Sequence, residues 1–552
     1  MKYAMSILIC GLLLAWSSPL LAADWYVKAG SEGNGSKESP FPDLWQALDK
    51  AVRGDVIRVA KGVYNGKGGC GHYSIKIPNL TIAGGYSDDF SERNPFKNLT
   101  ILERAADYKG DWTGLPEGII AGVGGKDHSG LIVDGLVLNC FSRNRYTPEG
   151  NVMLKAPSYP GKAFEASSPD IKILNCVIVN PIGEGIYVAW AGKNNEVANT
   201  FVVNSIYAGI ETRSTQPGAV VTIKNCTISF CWYYPSRGGG MGVFVGRQGK
   251  TVLEKNIIAF CQTEGGEAGY AVSNTFGNED LVMKDNILFQ NQGGYYKYMD
   301  ADKKNLLVWK PEELKALNAD GEPFMLSATG GNSDENPGFL PDREYFEKFS
   351  SFVASEPGKL NMDMMNEWRR SVGLPLQAEA ASKRQNHGIP YPLAAIIPNL
   401  VSKLPDRGVQ VGGPFVDYQA APAAAAAKEY AEAAFDLFQK GSPEVKTLNG
   451  KPVSFRAGMG AVDLSTFPLK EFGKDKYECF KLNLPGEPET TMKCVRGYFL
   501  KGSQAAKDWA KFGKKKAEYA AEGLIVRGTA YYFGADTYSY PVGIVVDEVK
   551  KP

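Results

Sequence analysis

Six short segments of the chain each follow a glycine with alternating side chains: GKAFEA (161–166), GIYVAW (185–190), GIETRS (209–214), GVFVGR (242–247), GYAVSN (269–274) and GYYKYM (294–299). With the residue after each glycine turned inward, the second and fourth positions turn outward. The second position then carries Ala163, Tyr187, Glu211, Phe244, Ala271 and Tyr296, and the fourth Glu165, Ala189, Arg213, Gly246, Ser273 and Tyr298. Carboxylates, an arginine and aromatic rings on one face suit a sugar acid. Rings give flat apolar platforms, and a guanidinium offers a bidentate partner for a carboxylate. In that chemistry Arg213 neutralises the carboxylate and makes the neighbouring C–H more acidic. Tyr187 removes the proton, and Glu211 orients the arginine. Glu165 with Glu211 is the nearest pair for two-carboxylate hydrolysis of a glycosidic bond instead. The same residue types also suit a plain solvated face, where Glu211 and Arg213 would form a surface ion pair worth little.

Trp190, Lys193 and Arg247 fall near this face by the same alignment. The insertion WYYPSRGGGMG (232–242) lengthens one segment beside it, with Trp232, Tyr233, Tyr234 and Arg237 placed to wall a groove or to pack on the stack. The candidate substrate contacts are therefore Glu165, Trp190, Trp232, Tyr233, Phe244, Arg247 and Tyr296. No metal site is expected. The three histidines, His72, His128 and His387, are scattered, and no Cys-x-x-Cys occurs. SDEN (333–336) lacks a calcium-loop spacing.

These residues need a scaffold that repeats. The segments DGLVLNC (134–140), LNCVIVN (174–180), ANTFVVN (198–204), KNCTISFC (224–231), EKNIIAFC (254–261) and KDNILFQN (284–291) alternate apolar residues with period two and are rich in Val and Ile, so they read as strands. Asn175, Asn199, Asn225, Asn256 and Asn286 recur every 24–31 residues, a solenoid period. Two or more short strands per turn, with glycine at corners, describe a parallel β-helix; a propeller blade would need about 40–45 residues. The asparagines are placed to form an amide ladder at one bend. Cys140, Cys176, Cys226, Cys231 and Cys261 lie in matching contexts and read as stacked interior thiols.

The 62 glycines among 552 residues are about 11%, above an average near 7%. Sixty-one Lys plus Arg against 60 Asp plus Glu leave a net charge of +1, which gives no support to a phosphate-tracking nucleic-acid binder. Lys2 followed by an apolar core at 6–16 and a small-residue Leu-Leu-Ala-Ala reads as a secretory signal peptide over residues 1–22. Export places the mature protein outside the cell, in a periplasm or on a cell surface, with no transmembrane segment in the mature chain. A β-helix domain is expected over 23–415, an Ala/Pro-rich linker running into a helix over 416–444, and a small separate domain over 445–552. In that last domain four strand-like runs surround a basic helix at 507–522. They suggest a small barrel or sandwich, OB-like in one arrangement, with Cys479 and Cys494 placed to join two strands of a hairpin across the LPGEPE turn. The fold class is thus all-β, a single-stranded right-handed solenoid with a small C-terminal β-rich domain.

The opening 25–66 resembles the first coil of secreted right-handed β-helix proteins of the pectin-lyase-like superfamily. Its capping-helix stretch holds Trp45, Ala47, Leu48 and Ala51, and Gly54, Asp55, Ile57, Val59, Gly62 and Tyr64 match the motif that follows. IAGGYSDDFSERNP (82–95) is similar to a second-coil signature of the same group, and 330–340 and 406–415 to its closing segments; the resemblance covers roughly 25–415. It implies a β-helix whose relatives are polysaccharide lyases, glycoside hydrolases, uronan epimerases or non-catalytic adhesins. Calcium enters only through this resemblance. The Asn-Thr-Asp, Gly-His-Gly and Arg-Ile-Lys set of polygalacturonases and the Asp-Pro-His of mannuronan epimerases are missing, as is a pectate-lyase cluster of Asp with Arg-x-Pro. The expectation is a monomeric secreted protein that binds an extracellular polysaccharide; if it is also an enzyme, β-elimination comes first and hydrolysis second. The competing expectation is a non-catalytic surface or matrix adhesion protein in which the solenoid is a spacer.

Overall fold

Short Val- and Ile-rich runs cannot bury their apolar faces alone, so they do so by stacking coil on coil. The computed structural model describes residues 22–110, 118–123, 129–144, 161–234, 238–262, 269–299, 304–315, 326–349, 362–378, 389–420, 431–434, 438, 445–462, 477–485, 494–514, 519, 522–532 and 542–551. The expected signal peptide, apart from Ala22, and His128 lie outside them. The chain divides into two compact units, Met1–Ala421 and Pro422–Pro552.

In the first unit successive coils supply strands to three parallel sheets. Sheet A has ten strands, from Asp24–Val27 to Ala328–Gly330; sheet B has eight, from Gly62–Tyr64 to Ile287–Phe289. Sheet C has nine, from Tyr73–Ser74 to Asn305–Val308, the last of which turns back antiparallel. Between sheets A and B the chain passes through the left-handed backbone region at Asn175, Asn199, Asn225, Lys255 and Asp285, with φ between 50° and 56°. A second such column, Asn180, Asn204, Phe230, Phe260 and Gln290, ends sheet B. Asparagine recurs at these bends because its short polar side chain tolerates that conformation.

The asparagines expected to form one ladder fall into two, one residue apart. Asn175, Asn199 and Asn225 hold the corner itself. Asn256 and Asn286 stand one place further along, level with Cys226: Cys226 N donates to Asn256 Oδ1 at 2.9 Å, and Asn256 N to Asn286 Oδ1 at 3.0 Å. The interior column thus runs Cys176, Thr200, Cys226, Asn256 and Asn286 up the stack, ending in amides. Cys140, Cys176, Cys226, Cys231 and Cys261 are buried free thiols in the solenoid core, as their contexts suggested.

The open end is capped by α1 (Leu44–Lys50), where Asp43 and Gln46 form a capping box and Leu44 and Ala47 are buried. Among the described residues of the 341–405 stretch there are three further helices, α2 (Arg343–Phe349), α3 (Met362–Ser371) and α4 (Leu393–Leu400). Tyr345, Phe346, Ile396 and Leu400 pack with Phe201, Phe230 and Phe260 in a second apolar cluster on the outer side of sheet B. Residues 406–420 then run back along the stack. Gln410 N donates to Asn199 Oδ1, Tyr418 Oη to Asp134 and Ala420 N to Asp24.

The second unit is a small closed barrel. Strands Pro452–Val462, Tyr477–Asn483, Cys494–Leu500, Leu524–Tyr532 and Val542–Lys550 pair in the order first, second, third, fifth, fourth, and the fourth returns to the first. The third and fifth are parallel, and α5 (Gln504–Gly513) lies between the third and fourth in sequence. This is an OB-like five-stranded arrangement. Three local expectations change. Ala431–Glu432 is a strand paired to Val453 and Ser454, where helical periodicity predicted a helix. The helix expected from Lys507 begins earlier, at Gln504, and runs to Gly513; residues 515–518, 520 and 521 of the expected span lie outside the described residues. Cys479 faces Tyr498 and Cys494 faces Asn483 across their hairpin, and no disulfide joins the two. Four ladder positions at ~3.4 Å each put them roughly 14 Å apart along the strands, beyond disulfide reach.

Candidate functional site

The outer face of sheet C carries most of the predicted residues in a corrected register. Glu165 pairs with Tyr187, Tyr187 with Glu211, Glu211 with Phe244, Phe244 with Ser273 and Ser273 with Lys297. The inward ladder beside it runs Phe164, Ile186, Ile210, Val243, Val272, Tyr296. The glycine alignment misplaced its outer coils because the column before each strand requires a small residue rather than glycine itself. A Cβ on Gly185 would lie 2.7 Å from Gly209 O, one on Gly209 2.7 Å from Gly242 O, and one on Gly242 2.7 Å from Ala271 O. Ala271 and Ala163 continue that column; Gly161 and Gly269 lie two residues earlier.

At the centre, Tyr187, Glu211 and Arg213 come together. Arg213 Nε is 2.7 Å from Glu211 Oε1, with the arginine side chain 43% exposed and the glutamate 0%. Tyr187 Oη is 2.7 Å from Ser214 Oγ. Lys162 Nζ lies 3.0 Å from Glu165 Oε1 and 4.4 Å from the centre of the Tyr187 ring. Glu184, itself only 2% exposed, stands beside Glu211. Burial, and then the Glu184 charge, push the Glu211 carboxyl up to about 8, although Arg213 and Lys162 pull the other way. The site therefore presents a half-buried phenol, an exposed guanidinium and an ammonium, above a sealed pair of acids.

Comparison with known families gives the scaffold its name. Residues 163–307 match the family described as the right handed beta helix region. This stretch is a right-handed parallel β-helix. Solved structures similar to the chain include a pectin methylesterase from Aspergillus niger, at 14% identity over 51% of this chain and 85% of that one, with TM-score 0.31. Others are a pectate lyase, at 14% over 51% and 68% with TM-score 0.28, and a rhamnogalacturonan lyase, at 12% over 59% and 92% with TM-score 0.30. No curated protein sequence matches the chain.

Several predicted contacts of the β-helix are not surface groups. Trp190 is fully buried in the solenoid core and donates its Nε1–H to Glu211 O at 3.1 Å. Tyr296 belongs to the inward ladder and is fully buried. Trp232 is 1% exposed, in the cluster outside sheet B, and donates to Asn204 Oδ1. None of the three can be a sugar platform. Phe244 is on the outward ladder but covered: its ring stacks on Phe276 at 5.4 Å, and Arg213 lies over it at 5.8 Å. Arg247 is exposed and lies over Phe276 at 4.7 Å. Glu165 stays partly exposed, paired with Lys162. The backbone of Tyr233 pairs with Gly239 in a two-stranded turn; its side chain is outside the described set.

Sequence reasoning passed over Lys162, Glu184 and Ser214. Lys162 and Glu184 each stand immediately before the small-residue column, at Ala163 and Gly185. Counting back from that column rather than forward from glycine would have exposed both. Calcium fits poorly: among the described residues no group of three or more His, Cys, Asp or Glu could hold a metal, and Glu165 and Glu211 already face Lys162 and Arg213. Among the described residues no helix is long and apolar enough to cross a membrane.

Proposed function

We propose that the chain is a secreted β-helix protein that binds a uronate-bearing extracellular polysaccharide on the outer face of sheet C and cleaves it by β-elimination. The observation that carries this reading is the Arg213 guanidinium, exposed yet tethered at 2.7 Å to a buried glutamate, one coil from the Tyr187 hydroxyl. Arg213 takes the uronate carboxylate as a charge-assisted pair, stabilising the charge that develops when the neighbouring proton leaves. Tyr187, as the phenolate, removes that proton. The freed electron pair forms the carbon–carbon double bond, the glycosidic carbon–oxygen bond breaks, and the departing oxygen takes up the proton that Tyr187 removed, which restores the base. Lys162 lies over the Tyr187 ring, and Ser214 holds the Tyr187 oxygen in place.

A panel of uronate polysaccharides, followed by the ultraviolet absorbance of the unsaturated product, tests it. The expected outcome is product from at least one polymer, with Arg213→Ala and Tyr187→Phe each lowering kcat/KM by about 10²–10³-fold. Absence of product, combined with glycan binding that survives Arg213→Ala, would sink the lyase reading. The adhesion reading is favoured by one observation, the removal of Trp190, Trp232 and Tyr296 from the surface into apolar clusters.

A further inference from the structure

Two glutamates with almost no solvent contact meet beneath the exposed guanidinium, a costly arrangement unless something offsets it. Glu184 is 2% exposed and Glu211 0%. Neither Glu211 carboxylate oxygen has a hydrogen bond aligned on it, although Arg213 Nε lies close to Oε1. The Glu184 carboxyl is within hydrogen-bonding reach of Glu211. Two ionised carboxylates offer each other no donor; one proton between them supplies the missing bond and removes the repulsion.

We infer that Glu184 is a positioning residue that acts on Arg213 through Glu211: the two buried acids share one proton, which leaves the guanidinium charge free for a substrate carboxylate. The inference rests on the proposed role of Arg213. When the shared proton is lost, the pair carries two negative charges, Glu211 holds Arg213 fully, and the pull on an incoming uronate weakens. The charged groups that face Glu211 are Glu184 from the preceding coil, Arg213 on its own coil and Lys162 from two coils back; the next coil lays the apolar Phe244 over it. Lys162 is already turned to Glu165 and Tyr187, so Arg213 is the cation whose availability changes. The sign follows from the raised Glu211 carboxyl, from 4.5 to about 8. The folded state holds the proton through that window and the unfolded chain does not, so folding stability falls as pH rises across it.

The full chain is compared with Glu184→Gln and Glu211→Gln in two measurements between pH 5 and 9. The first is thermal unfolding. The wild type is expected to lose stability toward pH 8, with that slope absent in Glu211→Gln and moved to lower pH in Glu184→Gln. The second is binding of galacturonate, mannuronate and guluronate trimers. Wild-type affinity is expected to fall about tenfold from pH 7 to pH 9, the scale of one charge-assisted contact. Glu211→Gln should keep its affinity at pH 9, and Glu184→Gln should weaken at lower pH than the wild type. Coincident unfolding slopes for wild type and Glu211→Gln overturn the shared proton, whatever the binding shows. A Glu184→Gln binding profile that does not move overturns the positioning role. No trimer binding at any pH overturns the functional reading of Arg213, even where the unfolding slopes are as expected.

Discussion

Burial acts on the cysteines of the solenoid as strongly as on its acids. The Cys140, Cys176 and Cys226 thiols are each pushed up to about 12, mainly by desolvation. A thiolate is the reactive form, so these side chains are expected to stay inert. Cys70 is only partly buried. Brief alkylation of the native protein at pH 8, mapped by peptide mass, should label Cys70 well before Cys140, Cys176 or Cys226, and full labelling of all four after denaturation should follow. Equal labelling of the native protein would mean the coils open readily. At this scale the sequence named the residue types well but not their exposure. Tyr187, Glu211 and Arg213 meet as their spacing suggested, yet Trp190 and Tyr296 have the same look in sequence and point into the core. Whether an aromatic faces water depends on a one-residue shift in strand register, and a one-residue shift reverses every side chain.

The element that sets this register is the column Ala163, Gly185, Gly209, Gly242 and Ala271 at the entry to sheet C. A Cβ on Gly209 would come within 2.5 Å of Ile228 Cγ2 and 2.7 Å of Gly242 O, and backbone oxygen cannot move aside cheaply. Gly209→Ala is therefore expected to cost about 1–3 kcal/mol in urea unfolding. Gly412→Ala, where nothing lies within 4 Å, should change stability by under about 0.5 kcal/mol. An equal effect at both sites would remove the column as the register-setting device. Strand identity was legible because period-two alternation survives in each repeat. Asn256 and Asn286 misled as an extension of the corner asparagines because the motif shifts from Asn-Cys or Asn-Thr to Lys-Asn and Asp-Asn, moving the amide from corner to interior. Sequence recurrence alone cannot separate two columns one residue apart; the hydrogen bonds between coils can.

At the scale of the whole chain, the second unit has its own core of Val453, Phe455, Leu482, Phe499, Trp509, Leu524, Val526 and Ile544. A closed barrel leaves no free strand edge to satisfy elsewhere. Residues 422–552 expressed alone are thus expected to unfold cooperatively, with a single transition in tryptophan fluorescence; a gradual, non-cooperative loss would show that the barrel depends on the rest of the chain. The sequence by itself determined the repeat architecture, the α1 cap, the interior thiols and a separate β-rich C-terminal unit. All of these follow from periodicity and local chemistry carried within a few tens of residues. Only the tertiary structure decided which face of each coil meets solvent, that Cys479 and Cys494 stay apart, and that Glu184 lies against Glu211. Those are contacts between coils and strands, fixed by the register in which small residues let backbones approach, and one-dimensional spacing does not contain that register.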